Sequence, residues 1–155
     1  GCEVDDLDDG HDETRRYKSL SHGSTPIFLD ANGMEEAIAV TIANVKRWQA
    51  EDSEGRANST CIIASSQAVR DTLARQLALA GFATSVIDAN QNLSNDGKCI
   101  HFATMHRAKG LEFDRVIVVA PTAYLGDPND TEQKRKLLYV ALTRAKRDAI
   151  LVKIQ

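Results

Sequence analysis

Two short stretches of this 155-residue chain concentrate side chains able to bind phosphate, sugar or nucleic acid. The first reads Thr104-Met105-His106-Arg107-Ala108-Lys109-Gly110-Leu111-Glu112-Phe113, placing a hydroxyl, an imidazole, two cations, a glycine and a carboxylate within ten residues. Gly110 lets the backbone turn tightly or approach a ligand closely, because it carries no Cβ. An ionised Glu112 is acceptor-only and suits a sugar hydroxyl, whereas Thr104, His106 and the neighbouring amides suit phosphate oxygens. The same residues also read as an ordinary charged connection, and their chemistry alone does not choose. The second stretch runs from Gln133 to Arg147. Leu137, Val140 and Ala141 recur at i, i+3 and i+4 as a core-facing helical stripe, and Arg144 follows four residues past Val140, near the helix end. A cation there complements the helix dipole. Alternatively, its planar, permanently charged fork of donors suits a phosphoryl group in transfer.

The elements that must position these residues follow from periodicity. Pro26 to Leu29 fits a strand, and Asn32-Gly33 breaks it. Met34, Ile38, Ile42 and Val45 then recur at helical spacing, with Trp48 closing the face. Cys61 to Ala64 is a second strand. Ser66 can cap the next helix, whose stripe is Val69, Leu73, Leu77 and Ala80 and whose stop is Gly81. Thr84 to Ile87 is a third strand, Asn90 to Lys98 a polar turn and Cys99 to Ala103 a fourth strand. After the polar loop Thr104 to Glu112, the run Arg115 to Ala120 is nearly all apolar and suits a strand buried on both faces. Pro121 to Asp130 is loop, Thr131 to Ala145 a basic helix and Ala149 to Ile154 the last strand. This alternation predicts an α/β fold with a mainly parallel sheet flanked by helices. In such sheets ligands gather at the carboxyl ends of the strands, which directs attention to the same two stretches.

Bulk properties narrow the class. The chain is 43% hydrophobic and 26% charged, as in ordinary globular proteins, and no apolar run is long enough to span a bilayer. Its length supports one domain with a single core. Residues 1–24 are acidic or rich in Ser, Gly and Thr and read as a loop or partly disordered lead-in, leaving 25–155 as the domain. Because the chain opens at Gly1 and stops straight after a strand-like run, it reads as a segment of a longer protein. Cys2, Cys61 and Cys99 are odd in number and far apart, without disulfide or zinc spacing, so no metal site is expected and a reducing, cytoplasmic setting fits. The net charge of −3 hides an asymmetry: residues 1–97 hold 8 Lys and Arg against 16 Asp and Glu, and residues 98–155 hold 11 against 6. A basic C-terminal part is compatible with a polyanionic partner.

Taken as a pair, the two stretches resemble a known family. T-M-H-R-A-K-G-L-E-F resembles motif V, and L-L-Y-V-A-L-T-R-A-K resembles motif VI, of the UvrD/Rep/PcrA-like superfamily 1 DNA helicases. C-I-I-A-S-S-Q and the helix ending L-A-L-A-G-F resemble the start of that family's second motor domain, so the resemblance covers 25–155. It implies a RecA-like, P-loop NTPase-type domain that lacks its own phosphate loop, since no G-x-x-x-x-G-K-[ST] occurs.

The resemblance implies further that Glu112 bonds the ribose of ATP, with Gly110 bringing the backbone near the nucleotide. Arg144 would reach the γ-phosphate as the catalytic arginine, and Tyr139 and Thr143 would couple the motif VI helix to the nucleotide. Thr104 and His106 would touch single-stranded DNA. Lys109 would join them, although a phosphate contact and a structural ion pair both remain open for it. The implied partners are an N-terminal RecA-like domain of the same protein and single-stranded DNA, and the implied cofactor is ATP with Mg2+, whose metal ligands lie elsewhere. The family's motif IV arginine is not identifiable here, and the short segment between the third and fourth strands leaves no room for an inserted accessory domain. An inactive helicase-like module that binds DNA or docks a protein is the alternative from another class. An RNA-directed relative is a weaker one.

Overall fold

The computed structural model describes residues 25–52, 58–87, 99–122, 132, 139 and 141–155. The lead-in 1–24, the polar turn 90–98, nearly all of the 121–130 loop and most of the expected 131–145 helix, Leu137 and Val140 included, lie outside the described residues. The elements are β1 (Ile27–Ala31), α1 (Met34–Glu51), β2 (Thr60–Ala64), α2 (Gln67–Leu79), β3 (Ala83–Val86), β4 (Cys99–Thr104), β5 (Phe113–Pro121) and β6 (Ala145–Ile154). The six strands form one sheet in the order β1-β6-β5-β2-β4-β3, with every neighbouring pair parallel. Parallel strands need crossover connections that cover both faces, so central strands read as continuous apolar runs. Every residue of β2 is buried, as are Arg115 to Ala120 of β5.

Alternation splits the core into two apolar layers. On the first face Ile62, Ala64, Phe102, Ile117, Val119 and Val152 pack under α1 and α2. On the second face Ile63, Ala103, Val116, Val118 and Leu151 lie under Met105, Ala108, Ala141 and Leu142. Among the described residues, then, helices cover one face, and the two chemistry-bearing stretches cover the other.

The helix faces differ from the expected stripes. In α1 the fully buried line is Ala37, Thr41, Val45 and Trp48, whereas Met34, Ile38 and Ile42 pack from its flank. Thr41 is tolerated inside because its hydroxyl donates to the Ala37 carbonyl at 2.8 Å, which removes the cost of burying it unpaired. In α2 Leu73, Ala74 and Leu77 are buried, while Ala80 is the exposed C-terminal cap residue. The Ser66 hydroxyl does cap this helix, accepting from the Val69 amide at 3.2 Å. Gly81 follows at φ 102, the left-handed turn that ends helices. The last strand begins at Ala145 instead of Ala149, since Ala145 pairs with Phe113 and Asp148 with Arg115 at the amino end of β5.

Candidate nucleotide and nucleic-acid site

Thr104 ends β4, where its carbonyl accepts the amides of Arg107 and Ala108, both at 3.1 Å, and the chain curls into consecutive turns. Met105 and Ala108 point into the second-face core, and Leu111 packs against it. His106, Arg107 and Lys109 stand outward between these apolar contacts. The apolar residues fix the path of the loop, so the outward ones are held on a defined support. Arg107, which the sequence reading left out of its candidate set, projects from the same turns as His106. Gly110 lies at φ 81, a left-handed conformation that side-chain-bearing residues seldom adopt. It therefore serves the turn, and no atom outside Gly110 and its two chain neighbours lies within 4 Å of where its Cβ would stand.

The loop crosses the sheet from one edge to the other. Thr104 is level with Ala64, which is level with Val119, six residues beyond Phe113. At about 3.3 Å per residue the carboxyl end of β4 and the amino end of β5 are separated by roughly 20 Å. The candidate residues thus form two groups. Thr104 and His106 belong to the carboxyl edge, whereas Glu112 and Arg144 directly precede β5 and β6 at the amino edge. The expectation that both stretches converge on the carboxyl ends is corrected for the second group: a crossover loop returns the chain to the opposite edge before the next parallel strand begins.

At the amino edge the Phe113 amide donates to the Arg144 carbonyl at 2.9 Å, and Phe113 faces Ala145 in the strand register. Glu112 and Arg144 are therefore flanking residues of one interstrand pair. The Glu112 carboxylate, itself exposed, lies 3.9 Å from the Lys146 ammonium, two residues past Arg144. At such exposure this pair orients the side chains only weakly. Tyr139, Ala141 and Leu142 are helical, and Thr143 and Arg144 form the turn that ends this segment, their amides donating to the carbonyls of Tyr139 (3.0 Å) and Ala141 (3.2 Å). Ala141 and Leu142 are buried in the second-face core, against which Tyr139 and Leu111 both pack. Arg144 is thereby placed by an apolar helix end on one side and a strand start on the other.

A second feature of this edge escaped the sequence reading. Arg115, inside the apolar run of β5, is 3% exposed. Its Nη1 donates to both Asp52 oxygens at 2.9 Å and to the Trp48 carbonyl at 3.1 Å, its Nε donates to Asp148 Oδ2 at 3.1 Å, and Nη2 lies 3.5 Å from Glu51. Asp114 accepts from the amide and hydroxyl of Ser59 at 2.9 and 3.2 Å. No local pattern in the sequence links positions 52, 115 and 148, because three separate elements bring them together. Among the described residues no group of three or more His, Cys, Asp or Glu side chains gathers to hold a metal ion, and no helix is long and apolar enough to cross a membrane.

A parallel α/β sheet with one helical face, whose other face carries a strap and a helix end bearing basic residues, defines a RecA-like domain. Residues 100–152 match the family model of the UvrD-like helicase C-terminal domain. The chain is 41% identical over 56 residues to DNA helicase II of Haemophilus influenzae, taking in 32% of this chain and 8% of that protein. It is 37% identical over 79 residues to the ATP-dependent DNA helicase UvrD1 of Mycobacterium leprae, taking in 44% and 10%. The match thus spans a tenth or less of the length of these curated relatives. In three dimensions the chain resembles the C-terminal domain of a possible DNA helicase from Lactobacillus plantarum WCFS1, with a TM-score of 0.69, 25% identity and coverage of 91% of this chain and 85% of that one. The arterivirus nonstructural protein 10 helicase, solved with DNA, shares the fold at a TM-score of 0.51 and 11% identity over 86% of this chain and 29% of that one.

Proposed function

We propose that this chain is the C-terminal motor domain of an ATP-dependent DNA helicase or translocase. It would contribute one half of an ATP site and part of a single-stranded DNA grip. The observation that carries the reading is the Phe113–Arg144 backbone hydrogen bond of 2.9 Å, which sets the carboxylate-bearing Glu112 and the guanidinium-bearing Arg144 beside each other at one sheet edge. In this reading ATP lies between the amino edge and an N-terminal RecA-like domain. Glu112 accepts hydrogen bonds from the ribose hydroxyls, and Gly110 lets the strap turn toward the nucleotide. Tyr139 supports the helix end that presents Arg144. The guanidinium of Arg144 offers paired donors to the γ-phosphoryl oxygens and balances the negative charge they gain during transfer. Mg2+ would be held by the partner domain and would neutralise phosphate charge.

Thr104 and His106, with Lys109 along the strap, contact the single-stranded backbone from the other edge. Backbone contacts make binding tolerant of sequence and sensitive to salt. Because one apolar-anchored loop joins the two edges, a shift at the nucleotide edge is transmitted to the nucleic-acid edge by a packed element. The test is Arg144→Ala in the protein carrying both motor domains, with the 155-residue chain alone as the inactive reference. DNA-stimulated ATP hydrolysis is expected to fall by about 10³-fold, the scale of an arginine acting on a transferring phosphoryl group. A rate near that of the unaltered protein removes Arg144 from the chemistry and the reading with it.

A further inference from the structure

We propose that Arg115 is a positioning residue for the Glu112–Arg144 pair, fixing the irregular start of β6 so that the two side chains keep one relative placement. The inference rests on the reading that both face a single nucleotide. The sheet carries a mismatch between β5 and β6. Phe113 faces Ala145 and Arg115 faces Asp148, so two residue steps on β5 match three on β6. Unbroken alternation would put Phe113 on the same face as Arg115, Ile117 and Val119. Instead it packs with Val116, Val118 and Ala120 on the second face. Irregularities of this kind re-aim side chains and weaken local pairing, and this one falls directly beside the hydrogen bond between Phe113 and Arg144.

Strand starts fray unless something ties them down, and here a closed chain of polar contacts does so. Arg115 grips Asp148 at 3.1 Å and Asp52 at 2.9 Å. Asp52 accepts from the side-chain amide of Asn58 at 2.7 Å, and Asn58 accepts from Arg147 Nη1 at 3.0 Å. Arg147 and Asp148 are neighbours on the longer side of the mismatch, so the contacts return to their starting point. The face of the Trp48 ring lies 5.4 Å from the Arg115 guanidinium and closes its buried side. The planar fork matters because it reaches Asp52, Asp148 and the end of α1 at once, a geometry that a lysine ammonium cannot reproduce. Arg115 itself lies behind the first-face core under α1, so its effect on a nucleotide passes through the strand starts.

The test compares Arg115→Lys, Arg115→Met and the milder Asp148→Asn, which keeps shape and leaves Arg115 paired with Asp52. Amide hydrogen exchange of the 155-residue chain is followed at Phe113 and, as references, at Ile62 and Phe102 in the central strands. In Asp148→Asn the Phe113 amide is expected to exchange about tenfold faster while the reference amides change by less than about twofold, the pattern of local opening. Arg115→Lys is expected to match or exceed that selective loss, so this variant carries the test if Arg115→Met does not fold. Acceleration of all three amides by one common factor, or an unchanged Phe113, overturns the proposal. In the protein with both motor domains, Asp148→Asn is expected to lower kcat for ATP hydrolysis about tenfold, since small misplacements of a reacting group carry losses of that order or more. Full kcat alongside a deprotected Phe113 also overturns it. If Arg144→Ala leaves hydrolysis unchanged, the nucleotide reading fails by itself, and the exchange pattern still decides whether Arg115 sets the pairing.

Discussion

Burial pushes the Cys61 thiol well above its ordinary pKa of about 9, because a thiolate inside β2 would have no water and no counter-charge. In the unfolded chain the same thiol ionises near that ordinary value. Below it both states hold the proton and the group is neutral to stability. Above it the unfolded state loses a proton that the folded state keeps, so stability falls as pH rises. Urea midpoints of the intact chain are therefore expected to drop more steeply above about pH 9 than those of Cys61→Ala, by up to about 1.4 kcal/mol per pH unit. Parallel curves for the two proteins would show that the thiol ionises equally in both states. Residue types marked Thr104, His106, Gly110, Glu112 and Arg144 as candidates, because hydroxyls, charges and an isolated glycine have recognisable chemistry, whereas Lys109 and Tyr139 entered only through the resemblance to the helicase motifs. Arg115 went unmarked because a single charge within an apolar strand looks incidental until its carboxylate partners are known.

At the scale of elements, the two helices begin by different means. The amino end of α2 is capped by the Ser66 hydroxyl. The end of α1 has no side-chain cap: Gly33 stands there at φ 99, and Glu35 and Glu36 in the first turn complement the dipole. Ser66→Ala is expected to cost about 1 kcal/mol of stability in chemical denaturation, with the loss confined to α2 amides in hydrogen exchange at low denaturant. An unchanged midpoint would mean that packing of Leu73, Ala74 and Leu77 alone sets where this helix starts. Element types and most boundaries were legible from periodicity and punctuation. The displaced stripe of α1 was not, because Thr41 turns inward only once its hydroxyl has a helical carbonyl to bond. The early start of β6 was not legible either, since Lys146 and Arg147 look like helix-end residues until β5 offers a pairing partner.

For the whole molecule, the two apolar layers share the same strands, and the second layer is closed by the strap 105–111 together with Ala141 and Leu142. The segments proposed to bind ligands thus also complete the core. Leu142→Ala, at 1% exposure, is expected to cost about 2–5 kcal/mol in a single cooperative urea transition. Two separable transitions would show that the faces fold independently. The sequence by itself determined the α/β class, the parallel alternation and the two stretches with binding chemistry, because hydrophobic period, glycine and cap positions and residue type are local properties of the chain. Tertiary structure alone decided that the first stretch crosses from one edge of the sheet to the other, that Glu112 and Arg144 flank one backbone hydrogen bond, and that Arg115 ties their strands to α1. Those relations join residues 31 to 67 positions apart, and which strand lies beside which is settled by packing the whole sheet, a choice no local stretch encodes.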